Sequence, residues 1–320
     1  MAPVLPADTG DRPSVLLVTD LGYRARGRRY CDEDIFLASR LREEFDVALC
    51  HPRDAAALLD RFDSVLVRNS GPVLHYREAY DAFRARALEL RVPVFNPLDG
   101  RGDMAGKQYL VELSRAGFPV IPTVDRAADL GLLPEAREYV VKPKLGADSV
   151  GLRFVTRAEA EAGAGPEAQA GSERVAGAGP EAEAVAGAGP EAVAEGEPRP
   201  PQGDGGLLFQ PRIDFRHEVS FYFVDHDFQY ALYAPDPERR WVLEPYAASA
   251  ADLEFAQRFI DWNSLTHGIQ RVDACRTAEG GLLLVELEDL NPFLSLDRVA
   301  EEVREAFVAR LKRSLAGLTG

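Results

Sequence analysis

Two lysines and a group of carboxylates are the residues of this 320-residue chain whose surroundings call for chemistry. Lys142 ends the apolar run Tyr139-Val-Val and precedes Pro-Lys-Leu-Gly-Ala-Asp-Ser-Val-Gly, while Lys107 lies in Met-Ala-Gly-Lys-Gln-Tyr-Leu. A lysine projecting from the inside of a covered strand must give up its charge or meet an anion. The residues that follow, Gly146 to Gly151 with Ser149 among them, are small enough for backbone N–H groups to approach a phosphate. An exposed edge strand with an ordinary hairpin is the plainer alternative.

The carboxylates lie near the end of the chain. Arg271-Val-Asp273 belongs to one apolar run, and Val285-Glu-Leu-Glu-Asp-Leu-Asn-Pro292 closes the next. If Val285 to Glu288 is a strand, its period of two puts Glu286 and Glu288 on one face. Two carboxylates on a buried strand, beside an aspartate and followed by Asn291, need cations to balance them. Hard oxygen donors of this kind suit Mg²⁺, which is held by one or two carboxylates and the oxygens of a phosphate substrate. A solvated acidic turn is the alternative, against which Leu282-Leu-Leu-Leu-Val285 reads as buried.

The elements that must position these groups fall into two styles. From Ser14 to Phe95, apolar strands (14–19, 46–50, 64–68 and 92–95) alternate with helical patterns (32–45, 53–62 and 76–90). Repeated β-α units of this length imply a doubly wound parallel sheet, with ligands outside the carboxyl ends of its strands, here the loops from Asp20, His51, Asn69 and Asn96. Beyond Asp103 a helix is expected to Ala116, then an extended Pro119–Thr123. Strands follow at 138–142, 152–155, 207–210, 218–223, 228–233, 270–275 and 282–287, with helices at 253–265 and 297–315. Neighbouring strands here read as hairpins, so the fold class is α/β followed by α+β. The expected organisation is a Rossmann-like domain at 1–100, a central domain at 101–158 with 207–212, and a C-terminal domain at 213–320.

Residues 159–206 interrupt this pattern. Ala-Gly-Ala-Gly-Pro-Glu-Ala recurs from Ala162, Ala176 and Ala186. Its Gly-x-Gly-Pro breaks each helix that the alanines favour, and it lacks the large apolar side chains that would offset the entropy of ordering. It reads as a disordered insertion without catalytic residues; a partner-binding tail is the alternative. Ten acids and two arginines between Glu159 and Gly205 supply eight of the fifteen excess negative charges of the chain. That balance disfavours nucleic acid and anionic membranes as partners. Cys31, Cys50 and Cys275 are too widely spaced for a zinc site or disulfide framework, and Met1 to Pro13 lack the basic-then-apolar pattern of a secretory signal, so a cytoplasmic location is expected.

Taken in order, Lys107, Pro119-Val-Ile-Pro-Thr, Val-Val-Lys142-Pro-x-x-Gly, Leu-Phe-Gln210-Pro-Arg-Ile, Glu218-Val-Ser, Arg271-Val-Asp273 and Glu286-x-Glu288…Asn291-Pro resemble the ATP-grasp superfamily, and within it the glutathione-synthetase-like ligases. The resemblance spans about residues 14–315 apart from the insertion. Arg-Tyr-Cys-Asp-Glu-Asp and Glu-Asp-Leu-Asn-Pro-Phe-Leu-Ser resemble, more faintly, the cyclo-ligases that form D-cycloserine in antibiotic biosynthesis. Such a resemblance implies ATP held between two α+β domains, magnesium (two ions), and joining of a small carboxylic acid to an amine through an acyl phosphate, with release of ADP and phosphate. It assigns Lys107 and Lys142 to the phosphates and Gly146, Ser149 and Gly151 to a closing loop. Gln210, Pro211, Arg212 and Ile213 fall to the adenine hinge, and Glu218 to the nucleotide site. Asp273 and Glu286 fall to the metal, and Arg271 to the transferring phosphoryl or acyl phosphate. The third metal ligand of the family is an asparagine two residues after the glutamate; Glu288 stands there, so Glu288 and Asn291 share that role as alternatives.

Arg24, Arg26, Arg28 and Arg29 follow the first strand, and Arg68 and Asn69 end the third; guanidinium groups there suit a substrate carboxylate. Asp32, Glu33 and Asp34 either hold an ammonium or charge a helix start. Arg216 and His217 either flank the acceptor or form a surface turn. Thr19-Asp-Leu-Gly22 lacks the dinucleotide fingerprint. Small-molecule acid and amine substrates are the expected partners, and self-association into a homo-oligomer is compatible with the chain. An intramolecular cyclo-ligase and a catalytically inactive ATP-binding regulatory protein are the competing functions.

Overall fold

The apolar run Ser14–Val18 forms a strand (β1), and after it the short pair Arg24–Ala25 (β2) and Arg28–Arg29 (β3) makes a hairpin. Asp46–Cys50 (β4), Ser64–Val67 (β5) and Val94–Phe95 (β6) join β1 in a parallel sheet of order β4-β1-β5-β6. Both faces are covered, as continuous apolar strands require. Val15, Leu17 and Leu66 pack with the helix Cys31–Leu41 (α1) on one side. Leu16, Val18 and Val65 pack on the other with Ala55–Leu58 (α2) and Arg77–Leu90 (α3). The computed structural model describes residues 12–22, 24–25, 28–29, 31–68, 76–145, 151–162, 206–236, 239 and 242–319, with the side chains at 24, 25 and 28 outside the description. No helix among the described residues is long and apolar enough to cross a membrane.

Two antiparallel sheets build the rest. Tyr139–Pro143 (β7) is flanked by Arg153–Val155 (β8) and, beyond the short helix Arg157–Glu161 (α5), by Leu207–Pro211 (β9), in the order β8-β7-β9. Phe215–Val224 (β10), Asp227–Ala234 (β11), Glu244–Pro245 (β12), Ile269–Thr277 (β13) and Leu282–Glu288 (β14) form a larger sheet of order β12-β11-β10-β13-β14. Ala250–Asn263 (α6) covers one face of it, together with Tyr109–Arg115 (α4). Glu301–Ala316 (α7) packs with α1 and with Tyr222, Val224, Tyr230 and Leu232, where the larger sheet meets the parallel one.

Three sequence expectations shift. The helix expected at 103–116 is divided into a 3-10 turn, Asp103–Ala105, and α4, because Gly106 between them has φ of +88°; Lys107 therefore precedes the helix. The first residues of the expected insertion, 159–161, are helical, since α5 occupies Arg157–Glu161 behind a Thr156–Glu159 capping box and buries Ala160; residues 163–205 lie outside the described residues. The helix expected from 253 starts at Ala250, where Ser249 and Asp252 cap each other reciprocally, a Ser-x-x-acid signature present in the sequence.

The extended segment 119–124 fastens the two antiparallel sheets together. Val120 bridges Leu284 of β14 at one end, and Val124 bridges Phe209 of β9 at the other. The outer edge of β14 is thus occupied rather than open. Its far end is fixed by a buried polar network. The carboxylate of Asp289, fully buried, accepts hydrogen bonds from the backbone N–H groups of Gly102 and Met104 (both 2.8 Å) and from the Asn263 amide (3.1 Å). Asp103 in turn accepts from the Asp289 backbone N–H at 2.7 Å. Gly100 and Gly102 allow this approach, because a Cβ at either would lie within 3 Å of the Asp289 carboxyl.

Asp289→Ala removes three hydrogen bonds and leaves buried donors without partners, each costing about 1–3 kcal/mol. Chemical denaturation should show a loss of about 3 kcal/mol or more; a loss below about 1 kcal/mol would contradict the role given to this network.

Candidate functional site

One face of the larger sheet carries the expected charges. Register pairs Asp273 with Glu286 and Arg271 with Glu288 across β13 and β14, and Ser220 of β10 with Asp273. The register shifts between Asp273 and Ala274, so that Ala274 opposes Leu284 and Val285 is the extra residue of a bulge. The bulge lets both Leu284 and Leu287 enter the apolar core while Glu286 and Glu288 face the other way. The unbroken Leu282-Leu-Leu-Leu-Val285 run is the sequence trace of that switch.

Arg271 is the hub of this face. Its Nε donates to both Asp273 oxygens (2.9 and 3.1 Å), its guanidinium pairs with Glu288, and Nη1 donates to the Phe293 carbonyl at 2.9 Å. Burial opposes the charge of Arg271, but Asp273 and Glu288 outweigh it and raise its pKa. Ser220 Oγ donates to Asp273 Oδ1 at 2.6 Å, a contact the sequence reading missed although the residue follows Glu218 by two. Glu218 lies half-buried, one turn of the strand's alternation along the same face.

Lys107 pairs with Glu286 and is 7% exposed. Burial acts against its charge, and Glu286 reverses the effect, so its pKa is raised; Glu286, despite burial, is lowered by Lys107 and Lys142. Gly106 makes this placement feasible: a side chain there would lie 2.7 Å from Leu145, and the Lys107 N–H donates to the Lys144 carbonyl at 2.8 Å. The turn after β7 and the lysine before α4 are thereby held together, which sets Lys142 and Lys107 near the same carboxylate. Gly151, with φ of +77°, passes Pro143 at a distance that a Cβ would reduce to 2.9 Å.

Glu288 is raised to about 8 by burial and by repulsion from Asp273 and Glu286, even with Arg271 beside it. Its anionic form is thus disfavoured where it stands. Among the described residues, no three of the His, Cys, Asp and Glu side chains converge on a point tightly enough to hold a metal alone. Asp273, Glu286 and Glu288 offer hard oxygen donors of the kind that suits magnesium when phosphate and water oxygens complete its shell. Asn291 is half-buried in the loop beyond β14.

Other expected residues fall elsewhere. Arg68 is a correction: it is 4% exposed, ion-paired with Glu33 (3.1 Å) and Asp34 (3.0 Å), and its Nη1 donates to the Pro292 carbonyl at 2.7 Å. Its guanidinium is committed to the protein rather than offered to a substrate carboxylate. Glu33 also accepts from the backbone N–H groups of Leu294 and Leu296 (2.8 and 3.1 Å), and burial raises its carboxyl to about 7. Neither acid is a simple helix-start charge. Gln210 is buried, donating to Thr123 Oγ1 at 2.8 Å; Pro211 is buried, Arg212 exposed beside Glu138, and Ile213 half-buried. Arg216 is exposed and donates to the Ala278 carbonyl in the β13–β14 turn. Asn69, Arg26, Gly146, Ser149 and the Arg24 side chain lie outside the described residues. The cysteines are free thiols and all three are buried.

No protein-family model matches the chain, and no curated protein sequence matches it. Solved structures do. D-cycloserine synthetase DcsG is 20% identical, with a TM-score of 0.64 over 96% of this chain and 100% of that one. Macrocyclase MdnC from Microcystis aeruginosa MRC, bound with its precursor peptide MdnA, is 12% identical with a TM-score of 0.59, covering 94% and 100%. The D-alanine–D-alanine ligase from Bacillus anthracis complexed with ATP is 11% identical with a TM-score of 0.58, covering 96% and 97%.

Lys142 offers a check on the electrostatics. Burial first, and Lys107 second, lower it from 10.5 to about 8, with partial relief from Glu286. Below that pH the folded state carries a disfavoured ammonium. As pH rises from about 8 toward 10.5 the folded state sheds the proton that the unfolded chain keeps, so stability rises. Lys142→Met should therefore unfold at higher denaturant at pH 7, by about 1 kcal/mol, with the gap closing toward pH 10. A variant less stable than the parent at pH 7 would contradict this.

Proposed function

From the ATP-grasp fold of this chain, we propose that the protein is an ATP-dependent ligase joining a carboxylate to an amine nitrogen on small, amino-acid-like molecules, with ADP and phosphate as the other products. The observation that carries the reading is the meeting of Lys107, Lys142 and Arg271, from three separate elements, with Asp273, Glu286 and Glu288 on two paired strands. A nucleotide triphosphate and magnesium are complementary to that set: phosphate oxygens for the cations, a metal for the carboxylates.

In this reading Lys107 and Lys142 bind the phosphates, and Gly146, Ser149 and Gly151 belong to the loop that closes over them. The strand end from Gln210 through Pro211 and Arg212 to Ile213 receives adenine, with Glu218 on the sheet beside it. Asp273 and Glu286 hold magnesium, with Glu288 or Asn291 completing the set; the metal supplies charge neutralisation of phosphoryl oxygens. Two such ions suit the number of carboxylates present. A substrate carboxylate oxygen bonds to the γ-phosphorus as the bond to the ADP oxygen breaks. The amine nitrogen then bonds to the carbonyl carbon, phosphate departs with its bridging oxygen, and the nitrogen loses a proton. Arg271 stays charged beside the reacting oxygens and stabilises the charge that develops on them. Such transfer depends on positioning and preorganised positive charge, so no nucleophilic side chain is required.

The likeness to D-cycloserine synthetase over that whole chain favours a second reading, in which the activated carboxylate is captured by a nitrogen of the same molecule, as in specialised metabolism. Turnover of one compound alone, with loss of water seen by mass spectrometry, distinguishes it from two-substrate ligation.

Lys142→Ala and Asp273→Asn should each lower ADP release by about 10²–10³-fold while leaving the cooperative unfolding transition in place. An ADP-release screen over amino acids and their O- and N-substituted derivatives, singly and in pairs, checks this. Full activity in either variant, or AMP and pyrophosphate as products, would overturn the mechanism.

A further inference from the structure

The loop that follows the acidic strand is held from two parts of the chain at once. Its peptide unit between Phe293 and Leu294 accepts Arg271 Nη1 on the carbonyl at 2.9 Å and donates its N–H to Glu33 at 2.8 Å. A trans peptide points its C=O and N–H in opposite directions, so this one plate lies between the larger sheet and α1 of the first domain. Glu33 takes a second N–H, that of Leu296, on its other oxygen at 3.1 Å. Ser295, between the two donors, has φ of +53°, a backbone that residues with side chains rarely adopt.

Glu33 does not act alone. Arg68, just past β5, pairs with the Glu33 oxygen that Leu294 uses (3.1 Å) and with Asp34 (3.0 Å), and it donates to the Pro292 carbonyl at 2.7 Å. Tyr230 of β11 donates to the Leu294 carbonyl at 2.7 Å. Five successive backbone groups of the loop are thus fixed by side chains far away in sequence. Asp20, at the end of β1, accepts the Tyr76 hydroxyl and the Gly22 N–H within the first domain. Glu33 and Arg68 instead reach across to the segment that closes the acidic strand.

Arg271 gives Nε and Nη2 to Asp273 and Glu288, on its own strand and the next. The Phe293 contact ties the remaining arm, Nη1, to the loop. From Glu33 through the peptide to Arg271 the hydrogen bonds form a buried chain, in which each bond polarises and strengthens its neighbour.

We propose that Glu33, braced by Arg68, is a positioning residue for Arg271: it fixes the Phe293–Leu294 peptide and, through it, the direction of the guanidinium. The inference rests on the ligase reading, in which Arg271 acts on the reacting oxygens, and adds to that machinery a residue of the first domain. Ionised Glu33 accepts on both oxygens; protonation puts a hydrogen on one of them and turns a donor toward the loop. Burial raises its carboxyl to about 7, with Arg68 opposing the shift and Asp34 adding to it. Tyr222 of β10 and Tyr230 of β11 also face Glu33, and burial keeps both as neutral phenols. Residues 292–296 carry no acidic or basic side chain. The grip on the loop therefore tightens as pH rises through about 7.

The test uses the full chain carrying Glu33→Gln, which keeps one acceptor oxygen and turns an amide NH₂ toward the loop. Hydrogen–deuterium exchange should show protection of the Leu294 and Leu296 amides lower by about tenfold. ADP release, with ATP and the most active member of the amino-acid panel, should show kcat lower by about 10–100-fold with KM for ATP within about threefold. In the parent, kcat should rise with pH through about 7, and in the variant that step should vanish. Should Glu33→Gln lose its cooperative unfolding transition, Arg68→Lys is read instead. Its kcat is expected to fall about 3–10-fold, since an ammonium cannot fork between Glu33 and the Pro292 carbonyl. Unchanged protection in the folded variant overturns the inference. So does lost protection with kcat or its pH profile as in the parent, which makes Glu33 a structural residue only and leaves the ligase reading standing. No ADP release from the parent with any member of the panel overturns that reading, and this inference with it.

Discussion

Three carboxylates at neighbouring positions of two hydrogen-bonded strands cannot share a half-buried face unless cations are brought to them. Asp273, Glu286 and Glu288 are in that position, and much of the architecture answers it. Removing Arg271 or Lys107, whose charges the acids stabilise, would cost about 3–5 kcal/mol. Arg271 comes from the same sheet, two residues from Asp273. Lys107 and Lys142 come from outside this sheet, and their delivery needs Gly106 at a backbone angle that side chains avoid and a small sheet whose central strand carries a lysine just before its end. The extended segment 119–124, bridged to both antiparallel sheets, keeps these two sources of charge in register.

Fixing the charges requires fixing the loops around them. Beyond Glu288 the chain passes at once into Asp289, whose buried carboxylate holds the segment leading to Lys107. It then enters residues 292–296, which are gripped by Arg68, Arg271, Tyr230 and Glu33. The parallel sheet is therefore joined to the acidic strand by hydrogen bonds as well as by the apolar packing of α1 against α7.

Sequence patterns with a period were legible. Apolar runs of four to six residues gave the parallel strands, and the alternation Glu286-x-Glu288 gave the shared face. The two lysines and the acids could be grouped because buried charge demands a partner. What could not be read was conformation set by single contacts. Nothing local to Arg68 distinguishes a substrate ligand from a side chain spent on Glu33, Asp34 and a carbonyl more than two hundred residues away. Gly106 looked like an ordinary residue of a helical stretch, and its role rests on the approach of Leu145. Asp20 and Tyr76 are 56 residues apart, so their pairing is a product of strand order. The start of α6, by contrast, has a local signal in Ser249 and Asp252.

In the proposed function, cations from the middle of the chain and acids from its end enclose a nucleotide together with magnesium. Isothermal titration of the protein with AMPPNP, in excess Mg²⁺ and again with the metal chelated, addresses it directly. The account requires saturable one-to-one binding with Mg²⁺ that weakens at least about tenfold on chelation, since bare phosphates would then face three carboxylates. Absence of binding, or equal affinity with and without the metal, would contradict it.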